Sequence, residues 1–261
     1  IFGEQLMSYG TLILGESGSG KTASLRNLDP AKTLLIQPVR KPLPFRAKGW
    51  KEYRDRNGGN IMVTDQAAEI VKIMQLTKRD IIVIDDWQYI LGFQYMHSAT
   101  TKFKQGEVFE FYKKIGYDGF SIAEQATLLA PNKRVYILAH TATDDYGRVG
   151  IKTLGKMLDD KIVIEGMFTT VLRTKVEGGR YLFSTQTNGN DTTKSPMGLF
   201  EDATIPNDLA AVDKAICDYY DIETAPAAAP ASAPVSKHQP LPPTEIPEDI
   251  TETIEPENIN A

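Results

Sequence analysis

The sequence predicts an α/β fold in which a mainly parallel sheet carries helices on both faces. Three observations lead there. Short apolar runs rich in Ile, Leu and Val recur along residues 1–223, as at Thr11–Gly15, Thr33–Gln37, Asp80–Ile84 and Arg134–Ala139. They are too short and too β-branched for helices, and too continuously apolar for strands with one face in water. Stretches with helical spacing separate them. The first run also ends in a glycine-rich turn that opens onto a helical pattern, Thr22–Leu28.

Taken in order, Thr11–Gly15 is the first strand, Thr33–Gln37 the second and Asn60–Val63 a third. Thr64 and Asp65 are placed to cap a helix over 66–77, with Ile70, Ile73 and Met74 on one face. Asp80–Ile84 is a buried strand. A mostly helical stretch covers 105–130, where Ser121 and Glu124 have capping-box spacing. Arg134–Ala139 is the next buried strand. Thr169–Lys175 and Arg180–Thr185 flank Glu177-Gly178-Gly179 and read as a β-hairpin. Ile205, Leu209, Val212, Ile216 and Tyr220 repeat at helical spacing and form the last helix, with Cys217 packed on it.

The chain changes character after Glu223. Eight of its fifteen prolines lie there, and the same segment holds six acidic residues against Lys237 alone. It has little apolar surface to offset the entropy of ordering, so 224–261 is expected to be a disordered acidic tail, open to a protein partner. The formal net charge of −5 resides in this tail. The body, 1–223, is near neutral, and the acidic balance does not exclude a nucleic-acid partner. No run approaches the ~18 apolar residues of a membrane span, and no charged start leads into an apolar leader. The single cysteine, Cys217, forms no internal disulfide and no metal-thiolate cluster. A cytoplasmic setting is expected.

Gly15-Glu16-Ser17-Gly18-Ser19-Gly20-Lys21-Thr22 satisfies G-x-x-x-x-G-K-[ST] between a strand and a helical pattern. The spacing has a chemical reason. Glycines let backbone N–H groups turn inward around a phosphate, a helix start adds partial positive charge, Lys21 reaches the outer phosphates and the Thr22 hydroxyl ligates Mg²⁺. Such a loop needs a carboxylate at a nearby strand end. Ile81–Ile84 runs into Asp85 and Asp86. Asp85 is the expected second metal ligand, and Asp86 either polarises the attacking water or caps the following helix. Tyr136–Ala139 ends in His140-Thr141, which places His140 as a sensor of the terminal phosphate or the water.

Asp85-Asp86-Trp87-Gln88 lacks the glycine of a GTPase D-x-x-G, and Thr174-Lys175-Val176-Glu177 is a poor base reader, so a GTPase is not expected. The order of motifs instead resembles the RecA-like P-loop ATPase core. It is similar in particular to phage RecA-like AAA-domain proteins that assist single-strand annealing and recombination. The resemblance rests on GESGSGKT (15–22), IIVIDD (81–86), YILAHT (136–141) and a lysine–proline segment within 184–200. It implies ATP and Mg²⁺ as cofactors, hydrolysis as the activity, single-stranded DNA as partner and a homo-oligomer as the working form. One departure stands out. RecA-like proteins place a catalytic glutamate after the second strand, whereas this strand runs Leu35-Ile36-Gln37-Pro38-Val39, so Asp86 takes that role or hydrolysis is slow.

Arg40–Arg56 holds seven basic against two acidic residues, interleaved with Phe45, Trp50 and Tyr53. Cations for phosphates and rings for bases make a single-strand site, with Arg46, Lys48, Trp50 and Lys51 as the candidate contacts. No arginine or second lysine near the phosphate loop supplies a catalytic cation in cis. The resemblance implies that a neighbouring subunit supplies it, from Lys194, which precedes Ser195-Pro196 as in the RecA-type lysine–proline segment, with Arg173 as the alternative. Two other functions remain open: a small-molecule nucleotide or metabolite kinase, and an ATP-switched assembly protein with little hydrolysis.

Overall fold

The structure is a computed structural model that describes residues 7–54, 58–154 and 156–223, with the side chains of Lys156 and Met157 excepted. The chain divides into two units, Ile1–Thr224 and Ala225–Ala261. The second unit, and with it the expected disordered tail, lies outside the described residues.

The first unit is α/β. Its main sheet has eight strands: β1 (Tyr9–Leu14), β2 (Thr33–Gln37), β3 (Ile61–Val63), β4 (Ile81–Asp85), β5 (Arg134–Ala139), β8 (Thr170–Glu177), β9 (Arg180–Ser184) and β10 (Thr204–Pro206). They lie in the order β10-β9-β8-β1-β5-β4-β2-β3, and β6 (Thr141–Thr143) and β7 (Val149–Ile151) form a separate ribbon. Pairings from β8 through β1, β5, β4 and β2 to β3 are all parallel, while β9 and β10 add antiparallel strands at one edge. The hairpin expected at 169–185 is β8–β9. Glu177 pairs with Arg180, and Gly178 and Gly179 between them both have positive φ, 55° and 76°. A two-residue turn of that hand matches the twist of the strands it joins, and only glycine adopts it without strain.

The central strands are buried on both faces, which is why they read as continuous apolar runs. Leu12, Leu14, Ile82 and Ile84 face α1 (Ala67–Leu76), α2 (Gln88–His97) and α3 (Glu107–Gln125). Ile13, Val83, Tyr136 and Leu138 face the other way, onto α5 (Leu209–Tyr219), Leu25 and Leu28. No helix among the described residues is long and apolar enough to cross a membrane.

Four local expectations change. The helix expected over Thr22–Leu28 is a 3-10 helix, Thr22–Asn27. Leu28 is extended, the Asp29 carboxylate accepts from the Ala31 N–H, and Pro30 cannot continue a helix. Gln88–His97, left unassigned by periodicity, is helix α2. Ser121 lies inside α3 and donates back to the Asp118 carbonyl at 3.0 Å, so its spacing to Glu124 is not a cap. Ile205 belongs to β10, and the last helix is instead capped by Asp208, whose carboxylate accepts from Ala210 N–H.

Trp50 is the one site candidate that the fold removes. It is 8% exposed and packs into the cluster containing Leu25, Leu28 and Leu35, with Phe45 edge-on at 6.2 Å. An indole committed to the core cannot stack on a base.

Candidate phosphate and metal site

The site is assembled at the C-terminal ends of three adjacent parallel strands. β5 lies between β1, which runs into the glycine-rich loop, and β4, which ends in Asp85. Ligand sites of parallel sheets form at this edge, because loops there converge while the strands beneath hold them rigid.

Gly15 starts the loop with its N–H on the Ala139 carbonyl at 3.1 Å, which ties the loop to β5. A Cβ at Gly15 would lie 1.8 Å from Thr174 Oγ1 and 2.6 Å from Ser19 Oγ, so no other residue fits. Thr174, on β8, donates to the Leu14 carbonyl at 3.2 Å and shares a 2.6 Å hydrogen bond with the Ser19 hydroxyl. Ser19 Oγ also lies 2.7 Å from the Glu16 carbonyl. Gly18 and Gly20 have φ of 77° and 99°. The Ser17, Gly18 and Gly20 N–H groups have no acceptor among the described residues. Thr174 is a brace that motif reading did not find.

Lys21, 6% exposed, donates to the Gly15 and Glu16 carbonyls at 3.0 Å each and lies 4.0 Å from Asp86 Oδ1. Burial lowers its pKa, and the neighbouring Lys41 charge adds to this against the pull of Asp86 and Asp85. The Thr22 hydroxyl is 3.0 Å from both carboxylate oxygens of Asp85. The predicted metal pair, Thr22 and Asp85, is thus in contact. Asp86 Oδ2 is 3.5 Å from His140 Nε2, and Asp86 Oδ1 is buried without a hydrogen-bond partner. Asp86 does not cap α2: the N-cap position is Trp87, with no side-chain cap. The His140 backbone N–H donates to Gln88 Oε1 at 3.0 Å, and burial followed by the Lys21 charge lowers its imidazole pKa.

The residue that the sequence concealed is Lys41. Its ammonium lies 3.4 Å from Asp85 Oδ2 and 3.3 Å from Asp86 Oδ2. Nothing in its local pattern distinguishes it from the other bases of Arg40–Arg56, and the expectation that no second lysine serves the site in cis is corrected. Its loop leaves β2 through Pro38 and is stiffened by Pro42 and Pro44. Lys41, Pro42 and Pro44 line a cleft of about 490 Å³ together with Gly18, Gly20, Lys21, Thr22 and Tyr181. That volume lies in the range of small-molecule sites, ~300–1,000 Å³.

The donor set fits a phosphate chain and a hard divalent cation. Open amides and a buried lysine suit phosphate, while one hydroxyl and one or two carboxylates suit Mg²⁺, which completes its shell with water and phosphate oxygens. The described residues contain no group of three or more His, Cys, Asp or Glu that could hold a metal by themselves.

Of the remaining candidates, Arg46, Lys48 and Lys51 are exposed. Arg40 and Arg54 engage Glu52 at 2.7 and 2.9 Å, and Arg56 lies outside the described residues. Lys194 is exposed and bridges Val171 through its main chain, away from the loop. Arg173 is 3.3 Å from Asp191. Lys194 does not join the site within this chain, whereas Arg173 lines a neighbouring cavity together with Glu16, Ser17, Gly18 and Ser19 of the loop.

Burial and the Asp86 charge push the Asp85 pKa up to about 6, against the pull of Lys41 and Thr22. A carboxylate whose folded pKa exceeds its unfolded value, ~3.9, binds its proton more tightly when folded. Its ionisation therefore costs stability above pH ~6, and the cost is relieved as pH falls toward ~4. Between pH 7 and 5 the nucleotide-free protein should gain about 1 kcal/mol from this group, relative to Asp85→Asn. Urea unfolding of both proteins at the two pH values measures the difference, and parallel pH profiles would refute it.

No protein-family model matches the chain, and no curated protein matches it.

Proposed function

We propose that this is an ATP- and Mg²⁺-binding P-loop protein with a RecA-like core, which hydrolyses ATP in DNA recombination or replication, on single-stranded DNA and as a homo-oligomer. The observation that carries the nucleotide part is the meeting of Lys21, Thr22, Asp85, Asp86 and His140 at three adjacent strand ends, with β5 between the loop strand and the carboxylate strand. The DNA part rests on the resemblance of the motifs and on three exposed bases, Arg46, Lys48 and Lys51.

In hydrolysis the water oxygen bonds to the terminal phosphorus as the bond to the bridging oxygen breaks. The released proton has an acceptor in Asp86 Oδ1, which is buried without a hydrogen-bond partner, 4.0 Å from the Lys21 ammonium. Loop amides and Lys21 orient the phosphates and offset their charge. Mg²⁺, held by Thr22 and Asp85, would supply further charge neutralisation.

One observation favours a second reading, an ATP-switched assembly protein with little turnover. The chain after β2 brings Lys41, not a glutamate, to the carboxylates. ATP titration together with ATPase rates, with and without single-stranded DNA, separates the two. The hydrolase reading expects DNA-stimulated turnover, and Asp86→Asn should keep ATP affinity while losing about 10²-fold or more in rate. Tight ATP binding without turnover in the wild type favours the switch. Absence of ATP binding removes both.

A further inference from the structure

Resting on the nucleotide reading above, we infer that Lys41 is a resident cation of the site, which neutralises Asp85 and Asp86 until a divalent cation displaces it onto the terminal phosphate. The geometry makes this specific. Thr22 and Asp85 are the metal-ligating pair, and the Lys41 ammonium sits on Asp85 Oδ2 from the cleft side while also reaching Asp86. It therefore occupies the position of positive charge between the two carboxylates.

The contacts are those of a displaceable group. At 3.3 and 3.4 Å they are longer than the ~2.7–2.9 Å of a locked charge-assisted bond. The ammonium bridges two acids without being fixed to either. Lysine suits this, as a compact charge with three rotatable donors on a flexible stem. The backbone beneath it is the opposite: Pro42 and Pro44 follow in a loop whose φ angles are fixed at those positions, so the stem moves while its anchor does not. The side chain is one-third exposed and lines the same cleft as Gly18, Gly20 and Lys21. A short swing carries the ammonium from the carboxylates into the space where the loop holds phosphate. Burial opposes its charge, yet Asp85 and Asp86 together hold its pKa above the usual lysine value.

Arrival of a doubly charged ion at Thr22 and Asp85 repels the ammonium at close range, and the nearest anionic group is then the terminal phosphate. Lys41 thereby delivers in cis the cation otherwise expected from a neighbour's Lys194. It also occupies the part of the chain, just after β2, where the expected glutamate is missing.

The test is Mg²⁺ alone titrated calorimetrically into nucleotide-free wild type, Lys41→Met and Lys41→Gln, followed by steady-state kinetics with Mg-ATP. Without the competing ammonium, both variants should bind Mg²⁺ at least ~10-fold more tightly than wild type, and their kcat should fall about 10²-fold with KM changed only a few-fold. Equal Mg²⁺ affinity in all three proteins overturns the inference. If both variants unfold without metal, refolding by Mg²⁺ is the expected result and failure to refold the overturning one. ATP titration into the wild type keeps the two claims apart. A wild type that binds ATP, beside variants with unchanged Mg²⁺ affinity, overturns the role of Lys41 and leaves the nucleotide reading standing. A wild type that does not bind ATP, beside variants with tighter Mg²⁺ binding, overturns the nucleotide reading and the move onto phosphate, and leaves standing the competition of Lys41 with the metal.

Discussion

Lys21→Ala should lower ATP affinity about 10–100-fold, the worth of a hydrogen bond to a charged group, and turnover by about 10²–10³-fold more, with little change in stability. The loss is large because Lys21 is the loop's own cation, buried between the glycine-rich turn and Asp86. Affinity should survive in part because the Ser17, Gly18 and Gly20 N–H groups, without an acceptor among the described residues, remain available to a phosphate. Stability is spared for a separate reason. Burial lowers the Lys21 pKa, so the folded protein holds the ammonium at a cost, and alanine removes that cost together with the two hydrogen bonds to Gly15 and Glu16. ATP titration and urea unfolding of the variant check both halves. A folded variant with wild-type affinity and rate would remove the phosphate-loop assignment.

What could be seen in the sequence was what is local in the chain. The loop Gly15–Thr22 is legible because its conformation is imposed by glycines a few residues apart, and Gly15 confirms the constraint with the clash its Cβ would meet. Asp85 is legible because an apolar run can end at a carboxylate only where the strand leaves the core. The β8–β9 hairpin is legible from two glycines that the turn requires. Lys41 was not, because its role depends on a proline-stiffened loop folding back across 45 residues to Asp86. Trp50 misled for the same reason: an aromatic among bases looks alike whether it faces solvent or, as here, Leu25 and Leu35. Helix α2 escaped because Gly92 and several aromatics blur its pattern, and only Ile90 and Leu91 are buried. Ser121 misled because S-x-x-E spacing also occurs inside a helix, where the hydroxyl bonds back to the preceding turn.

These misses share a consequence for the site. The resemblance implied a cation for the terminal phosphate from Lys194 of another subunit, since no arginine or second lysine was visible near the motifs. With Lys41 on Asp85 and Asp86, charge is balanced within one chain. If Lys41 does supply the cation, turnover per subunit should not rise with protein concentration; a rise that Lys194→Ala abolishes would return that role to a neighbour.

Asp213→Asn should cost about 3–5 kcal/mol of stability, a large share of the ~5–15 kcal/mol typical of a folded domain. Arg134 opens β5, the strand between the phosphate loop and Asp85, and is 1% exposed. Its guanidinium meets the Asp213 carboxylate through two bonds of 2.9 and 3.0 Å from α5, and the Tyr136 hydroxyl donates to the same carboxylate at 2.6 Å. Burial works against the Arg134 charge, and the Asp213 contact more than offsets it, so the Arg134 pKa is raised. Tyr136 is held neutral by its burial and by Asp213. Removing the carboxylate charge leaves a guanidinium in the core with a neutral acceptor in place of its counter-ion, which is the costly way to break a buried pair. Removing both charges is less costly: Arg134→Met with Asp213→Leu should recover part of the loss, because the buried guanidinium goes and only the Tyr136 hydroxyl is left without its acceptor. Urea unfolding of the single and double variants measures this. An Asp213→Asn protein within about 1 kcal/mol of wild type would mean that water reaches Arg134. The site should respond less than the stability does, since the pair lies at the opposite end of β5 from His140, and the five strand residues Val135–Ala139 separate them.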